Sequence, residues 1–329
     1  MPTDRRVGSD EPASYNAATS PDAGRATSFA SPARGTLLLA VDRSARSEPP
    51  AQAALDLATR HGARVQVMTV YDTRPQLIPP PLDLALALED RVGGAALHEQ
   101  EEREVRELIQ AGLGRPVDWP VDLRLGTPSP TIIDAARATG ASMIVLGLRR
   151  HSMIDRAFRD ETALNVMRAA PCAVLAVTPW TTIPPKRVLV GIDFGRASLH
   201  AARVALDLVA DGGTMILAYA TPPELPAAPD DGEHLVHTLG VDAAWRRFIT
   251  QLAAPANVTV EHVVLEHQPG RSVSDLLSQF ADISAIDLVA LGSRRHGRLE
   301  RWLLGSVTSE MARDGAYALL AVPPDDATP

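Results

Sequence analysis

From residue 36 onward, short unbroken apolar runs alternate with stretches of helical periodicity. TLLLAVD (36–42) and RVLVGID (187–193) are continuous apolar runs ending in aspartate, the pattern of a strand buried on both faces. After the second of them, Leu199, Ala202, Leu206 and Val209 mark one helical face. RVQVMTVY (64–71) and TMILAYA (214–220) read as second strands, VDLRLG (121–126) and VTVEHVVL (258–265) as third strands. MIVLG (143–147) and LVALG (288–292) follow as fourth strands, AVLAV (173–177) and ALLAV (318–322) as fifth strands. Strands separated by helices throughout require parallel pairing, with helices covering both faces of the sheet.

The pattern is one unit used twice. ALDL occurs at 54–57 and again at 205–208, an offset of 151 residues. MIVLGLRRH (143–151) and LVALGSRRH (288–296) are related by 145, so the first copy carries six extra residues, expected in the stretch 72–100. The organisation expected is a disordered tail over 1–34, a first domain over 35–178, a linker over 179–186, a second domain over 187–323 and a short tail over 324–329. Pro179, Pro184 and Pro185 keep the linker out of regular structure. The fold class is therefore α/β, with two tandem doubly wound open parallel five-stranded sheets of Rossmann-like type.

Composition narrows the chemistry. Forty acidic against 32 basic residues give a net charge of −8, which argues against nucleic acid as a partner. No apolar run approaches the roughly 18 residues that span a bilayer, so no membrane partner is expected. Residues 1–34 lack an apolar leader core, and Asp4, Asp10, Glu11 and Asp22 disfavour a transit peptide; a cytoplasmic location is expected. One cysteine, Cys172, excludes a disulfide framework and a cysteine-rich zinc site, and reads as a small core residue. Lys186 is the single lysine and has no glycine-rich turn beside it, which removes the P-loop. No G-x-G-x-x-G follows either first strand, and no G-x-S-x-G elbow is present. His234 and His237 share a helical face without further ligands and read as solvated; no metal site is expected. EQEEREVRE (99–107) reads as an exposed, ion-paired helix.

Four pieces together carry a resemblance to a known family: the first strands ending in Asp42 and Asp193, Gly126-Thr127-Pro128 before a helix, the fourth strands with their following loops, and the run Ala170–Val177. In these the chain resembles the universal stress protein family in its two-domain form, over about 36–178 and 187–323. The resemblance implies an adenine-nucleotide alpha-hydrolase-like fold and intramolecular pairing of the two domains, their final strands lying near one another; a further homodimer of whole chains stays open.

Nucleotide-binding relatives carry a Gly-x2-Gly-x9-Gly-Ser/Thr signature after the fourth strand. Its glycines admit phosphate close to the backbone, and its last two residues open a helix whose free N–H groups favour anions. The second copy matches with Gly292, Gly305 and Ser306, but Arg295 stands where the middle glycine belongs, with Gly297 two residues on. The expected binding set is Asp193, Gly292, Arg295, Gly297, Gly305, Ser306 and Val307, holding ATP or AMP, with Mg²⁺ accompanying a triphosphate. In the first copy Asp160 and Glu161 stand where Gly-Ser would meet phosphate, so that site is degenerate and the domain is a structural partner. Asp42 reads as a turn residue capping the next helix, Asp193 as one close to ligand. His151 and His296 recur at matching loop positions, where repeat ancestry and ligand contact explain them equally, and Trp302 reads as packing under its loop. The function these residues imply is a non-enzymatic, nucleotide-sensing stress module without a catalytic residue. A nucleotide-free interaction protein and a slow ATP hydrolase are the alternatives.

Overall fold

The computed structural model describes residues 31–42, 48–72, 95–148, 162–221, 231–293 and 305–324, with the backbone alone for 95–97 and 231–239. The first copy contributes β1 (Thr36–Val41), α1 (Glu48–His61), β2 (Arg64–Asp72), α2 (Ala95–Leu113), β3 (Val121–Gly126), α3 (Pro128–Thr139), β4 (Met143–Gly147), α4 (Thr162–Ala169) and β5 (Ala173–Val177). The second contributes β6 (Arg187–Ile192), α5 (Arg196–Leu206), β7 (Thr214–Ala220), α6 (Asp231–Leu252), β8 (Thr259–Leu265), α7 (Val273–Ile283), β9 (Leu288–Gly292), α8 (Ser306–Asp314) and β10 (Ala318–Val322).

All ten strands join one sheet in the order β3-β2-β1-β4-β5-β10-β9-β6-β7-β8. Each half is a five-stranded parallel sheet, and the halves meet through a single antiparallel pair, β5 with β10. Leu175 lies opposite Leu320, its own counterpart in the repeat, so a pseudo-twofold axis passes through that pair. Two expected sheets thus become one continuous sheet, because the last strand of each half would otherwise be an uncovered edge.

Strand alternation divides the interior into two cores. Leu37 and Leu39 of β1 face the layer made by α1, α2, α5 and α6, while Leu38 and Ala40 face α3, α4, α7 and α8. Both cores draw on both halves, which explains why the strands read as unbroken apolar runs rather than alternating ones. Among the described residues no helix is long and apolar enough to cross a membrane.

Two details differ from the sequence reading. Pro32–Arg34, placed with the tail, form a short 3₁₀ turn capped by Ser31, with Ala33 fully buried, and the Ser142 hydroxyl donates to Pro32 O at 2.7 Å. In α2, Glu101 is buried with Val105 and Ile109, because i, i+4 spacing sets all three on the sheet-facing side; the Tyr71 hydroxyl donates to its carboxylate. The proposed insertion falls mostly on residues 73–94, outside those described.

Candidate functional site

In the second half, the chain runs from β6 to β7 on one side and reaches β9 on the other. The carboxyl ends of β6 and β9 therefore form the switch point at which open α/β sheets admit ligands. The ladder between them stops at Val190 and Ala290, although the strands continue to Ile192 and Gly292. In the first half the corresponding ladder runs on to Ala40 and Leu146. Gly191, where the first copy has Ala40, makes room for Leu291: a Cβ there would come within 2.5 Å of Leu291 Cδ2. The second half thus parts its switch point one residue pair earlier than the first.

Asp193 follows β6 directly and is exposed. Its Oδ1 accepts from the Gly195 N–H at 2.9 Å and from the Ser198 hydroxyl at 2.6 Å. The carboxylate thereby ties the β6–α5 turn and sits at the start of α5, where negative charge is favoured. Gly195 is the N-cap of α5 and receives no side-chain cap, so Asp193 acts one step earlier, on the turn, at the carboxyl edge of the sheet. Ser198, buried, had no part in the sequence reading; the recurrence of a serine five residues after both Asp42 and Asp193 was the available signal.

Between Asp193 and Gly195, Phe194 adopts φ 57°, a left-handed conformation costing a non-glycine residue about 1 kcal/mol. Its ring turns inward against Tyr219 (4.9 Å between centroids) and Trp245 (4.8 Å, edge-on), and His262 lies 4.7 Å from Trp245. Aromatic contacts of this kind contribute about 1 kcal/mol beyond burial, enough to offset the backbone. The cluster spans the β6–α5 turn, β7, β8 and α6, so it could not be read from local spacing.

Gly292 is a glycine for a packing reason. A Cβ on it would lie 2.6 Å from the carbonyl carbon of Ala197, so the first turn of α5 rests directly on the end of β9. On the opposite face, α8 begins at Gly305 with Ser306 exposed and Val307 packed into the core. Ser309 N–H returns to Gly305 O at 3.0 Å; helix geometry leaves the N–H groups of Ser306, Val307 and Thr308 without intrahelical acceptors. No acidic side chain lies in that first turn. The N-termini of α5 and α8 thus lie at the same carboxyl edge of the sheet, one on each face.

Arg295 and Gly297 of the expected set lie outside the described residues, as do His151, Asp160, Glu161, His296 and Trp302. In the first half Asp42 is exposed at the end of β1. There α3 opens with prolines at 128 and 130, which removes two N–H donors from its first turn. Cys172 is half-buried, and desolvation pushes its thiol up to about 12, which favours the protonated form. Among the described residues no group of His, Cys, Asp and Glu could hold a metal ion.

These features define an α/β protein of two pseudo-equivalent halves that share one mostly parallel sheet. The model of the universal stress protein family matches residues 34–178 and 184–323, and the chain belongs to that family as two such domains in tandem. A universal stress protein of Thermus aquaticus is 32% identical over 142 residues, 43% of this chain and 97% of the relative. One of Mycolicibacterium smegmatis is 26% identical over 298 residues, covering 88% of this chain and 97% of its own. The crystal structure of a universal stress protein from Archaeoglobus fulgidus superposes with a TM-score of 0.60 at 18% identity, over 90% of this chain and 100% of that one. A universal stress protein solved in complex with cAMP covers 44% of this chain and 97% of its own, with 21% identity and a TM-score of 0.33.

Proposed function

We propose that the protein is a non-enzymatic stress module whose second half binds an adenine nucleotide, ATP or AMP, in the cytoplasm, and whose first half is its structural pairing partner. The observation that carries this reading is the Gly305-Ser306 start of α8, with no acidic side chain in its first turn, on the sheet edge where β6 and β9 part. Phosphate would meet the unpaired N–H groups of α8, with Gly305 allowing close approach. The base and ribose would lie toward Asp193 and the end of β7. Arg295 would reach the phosphates from the loop after β9, and Mg²⁺ would offset the charge of a triphosphate. In the first half, Asp160 and Glu161 occupy the sequence positions of Gly305 and Ser306, and their like charge would oppose phosphate.

Titration calorimetry of the full chain with ATP and with AMP tests the site. Gly305→Asp places a carboxylate at the phosphate end, and affinity is expected to fall at least tenfold, the equivalent of about 1.4 kcal/mol. Unchanged affinity in that variant would sink the assignment. The bonds that already engage Asp193 Oδ1 favour a second reading, a nucleotide-free interaction module. Mass spectrometry of small molecules released from freshly purified protein separates the two: adenine nucleotide at a stoichiometric level supports the first, none the second.

A further inference from the structure

The two halves are not interchangeable where α1 meets α5. The Arg60 guanidinium donates from Nη1 to Asp207 O (3.2 Å) and Val209 O (3.3 Å), and from Nη2 to Leu208 O (3.1 Å). Its Nε and Nη2 also bind Asp56 Oδ2, which holds the fork in position at 2.8 Å from Nε. His61 Nε2 lies 2.7 Å from Asp207 O, and the Ser31 hydroxyl donates to the Asp207 carboxylate. The Arg60 and Asp56 side chains are only 23% and 15% exposed, so this cross-half cluster is largely shielded from solvent.

The arrangement depends on a difference between the copies. The helix α1 continues to His61, whereas α5 ends at Leu206, the counterpart of Leu55. The early end exposes carbonyls at 207–209, and a cation at a helix carboxyl end is favoured by the helix dipole. Between the shared ALDL and the following glycine, the first copy has Ala58-Thr-Arg-His61 and the second has Val209-Ala-Asp211. The second copy thus has no cation to offer in return; Asp211 instead accepts from Asn257 Nδ2 inside its own half at 2.7 Å. Two first-type halves would face each other with their α1 carbonyls already used in the helix, and two second-type halves would bring carbonyls and carboxylates together without a donor.

We propose that the Asp56–Arg60–His61 end of α1 is a heterotypic recognition surface, which reads the carbonyl end of a second-type helix and commits the first half to a second-type partner within the same chain. Hydrogen-exchange mass spectrometry of the full chain tests it at the seam strands, Ala173–Val177 and Ala318–Val322. Arg60→Met is expected to speed exchange there at least tenfold while leaving β7 and β8 as in wild type. Its mass by light scattering is expected to rise with concentration beyond the wild-type profile, as halves pair between chains. Arg60→Lys, which keeps the charge but cannot serve three carbonyls and Asp56 together, is expected to fall between the two. Wild-type protection and mass in both variants, or an equal acceleration over all ten strands, would overturn the proposal.

Discussion

At the scale of single residues, Gly292 shows how one position can satisfy two demands. The signature explains this glycine by phosphate approach, while the structure gives it an immediate reason in the backbone of Ala197. Gly292→Ala is therefore expected to destabilise the chain by about 2 kcal/mol, since overfilling a tight contact forces the backbone to shift. A urea titration measures this, and a midpoint within error of wild type would contradict it. The sequence reading singled out Asp193, Gly305 and Ser306 because acidic and glycine positions at strand and helix ends are visible in one dimension; the structure places them at the end of β6 and the start of α8. That reading missed Ser198, whose partner Asp193 lies five residues away, and the inward turn of Phe194, whose ring partners come from β7 and α6.

At the scale of elements, the strands were the most legible part, since burial on both faces writes each one as an apolar run such as MIVLG or LVALG. Helix caps were less so. The helix α7 opens with a reciprocal capping box: Ser272 Oγ receives the Asp275 N–H at 3.2 Å, and the Ser272 N–H donates to Asp275 Oδ2 at 2.9 Å. Hydrogen bonds from the Ser272 backbone and hydroxyl hold the Asp275 carboxyl below its ordinary value of 3.8. A depressed folded-state value means that this contribution is complete above the unfolded-state value and is lost as pH falls through the folded one. Ser272→Ala, which removes the hydroxyl half of this cap, is expected to lower stability at neutral pH. The gap from wild type should narrow on acidification below about pH 4; thermal melts across pH 3 to 7 check it, and a gap that widens toward low pH would contradict the cap's role. The early end of α5, by contrast, left no local signal, because the carbonyls that Arg60 reads are backbone groups.

At the scale of the whole molecule, a repeat that could have made two separate sheets makes one, closed about the Leu175–Leu320 pair. Burying each half's last strand in the seam ties the copies together and leaves β3 and β8 as the outer edges. Within that symmetry the copies diverge: α1 supplies the cation and α5 the carbonyls, and the switch point is parted earlier in the second half. The sequence carries the divergence at the ligand edge in Gly191 against Ala40 and conceals the one at the seam. The central claim is that nucleotide enters the second half alone. Photolabelling of the full chain with an azido-adenine nucleotide, followed by peptide mapping, tests it most directly. The account expects label in peptides from residues 187–323, suppressed by excess ATP. Competable label in peptides from residues 35–178, or none in either half, would contradict it.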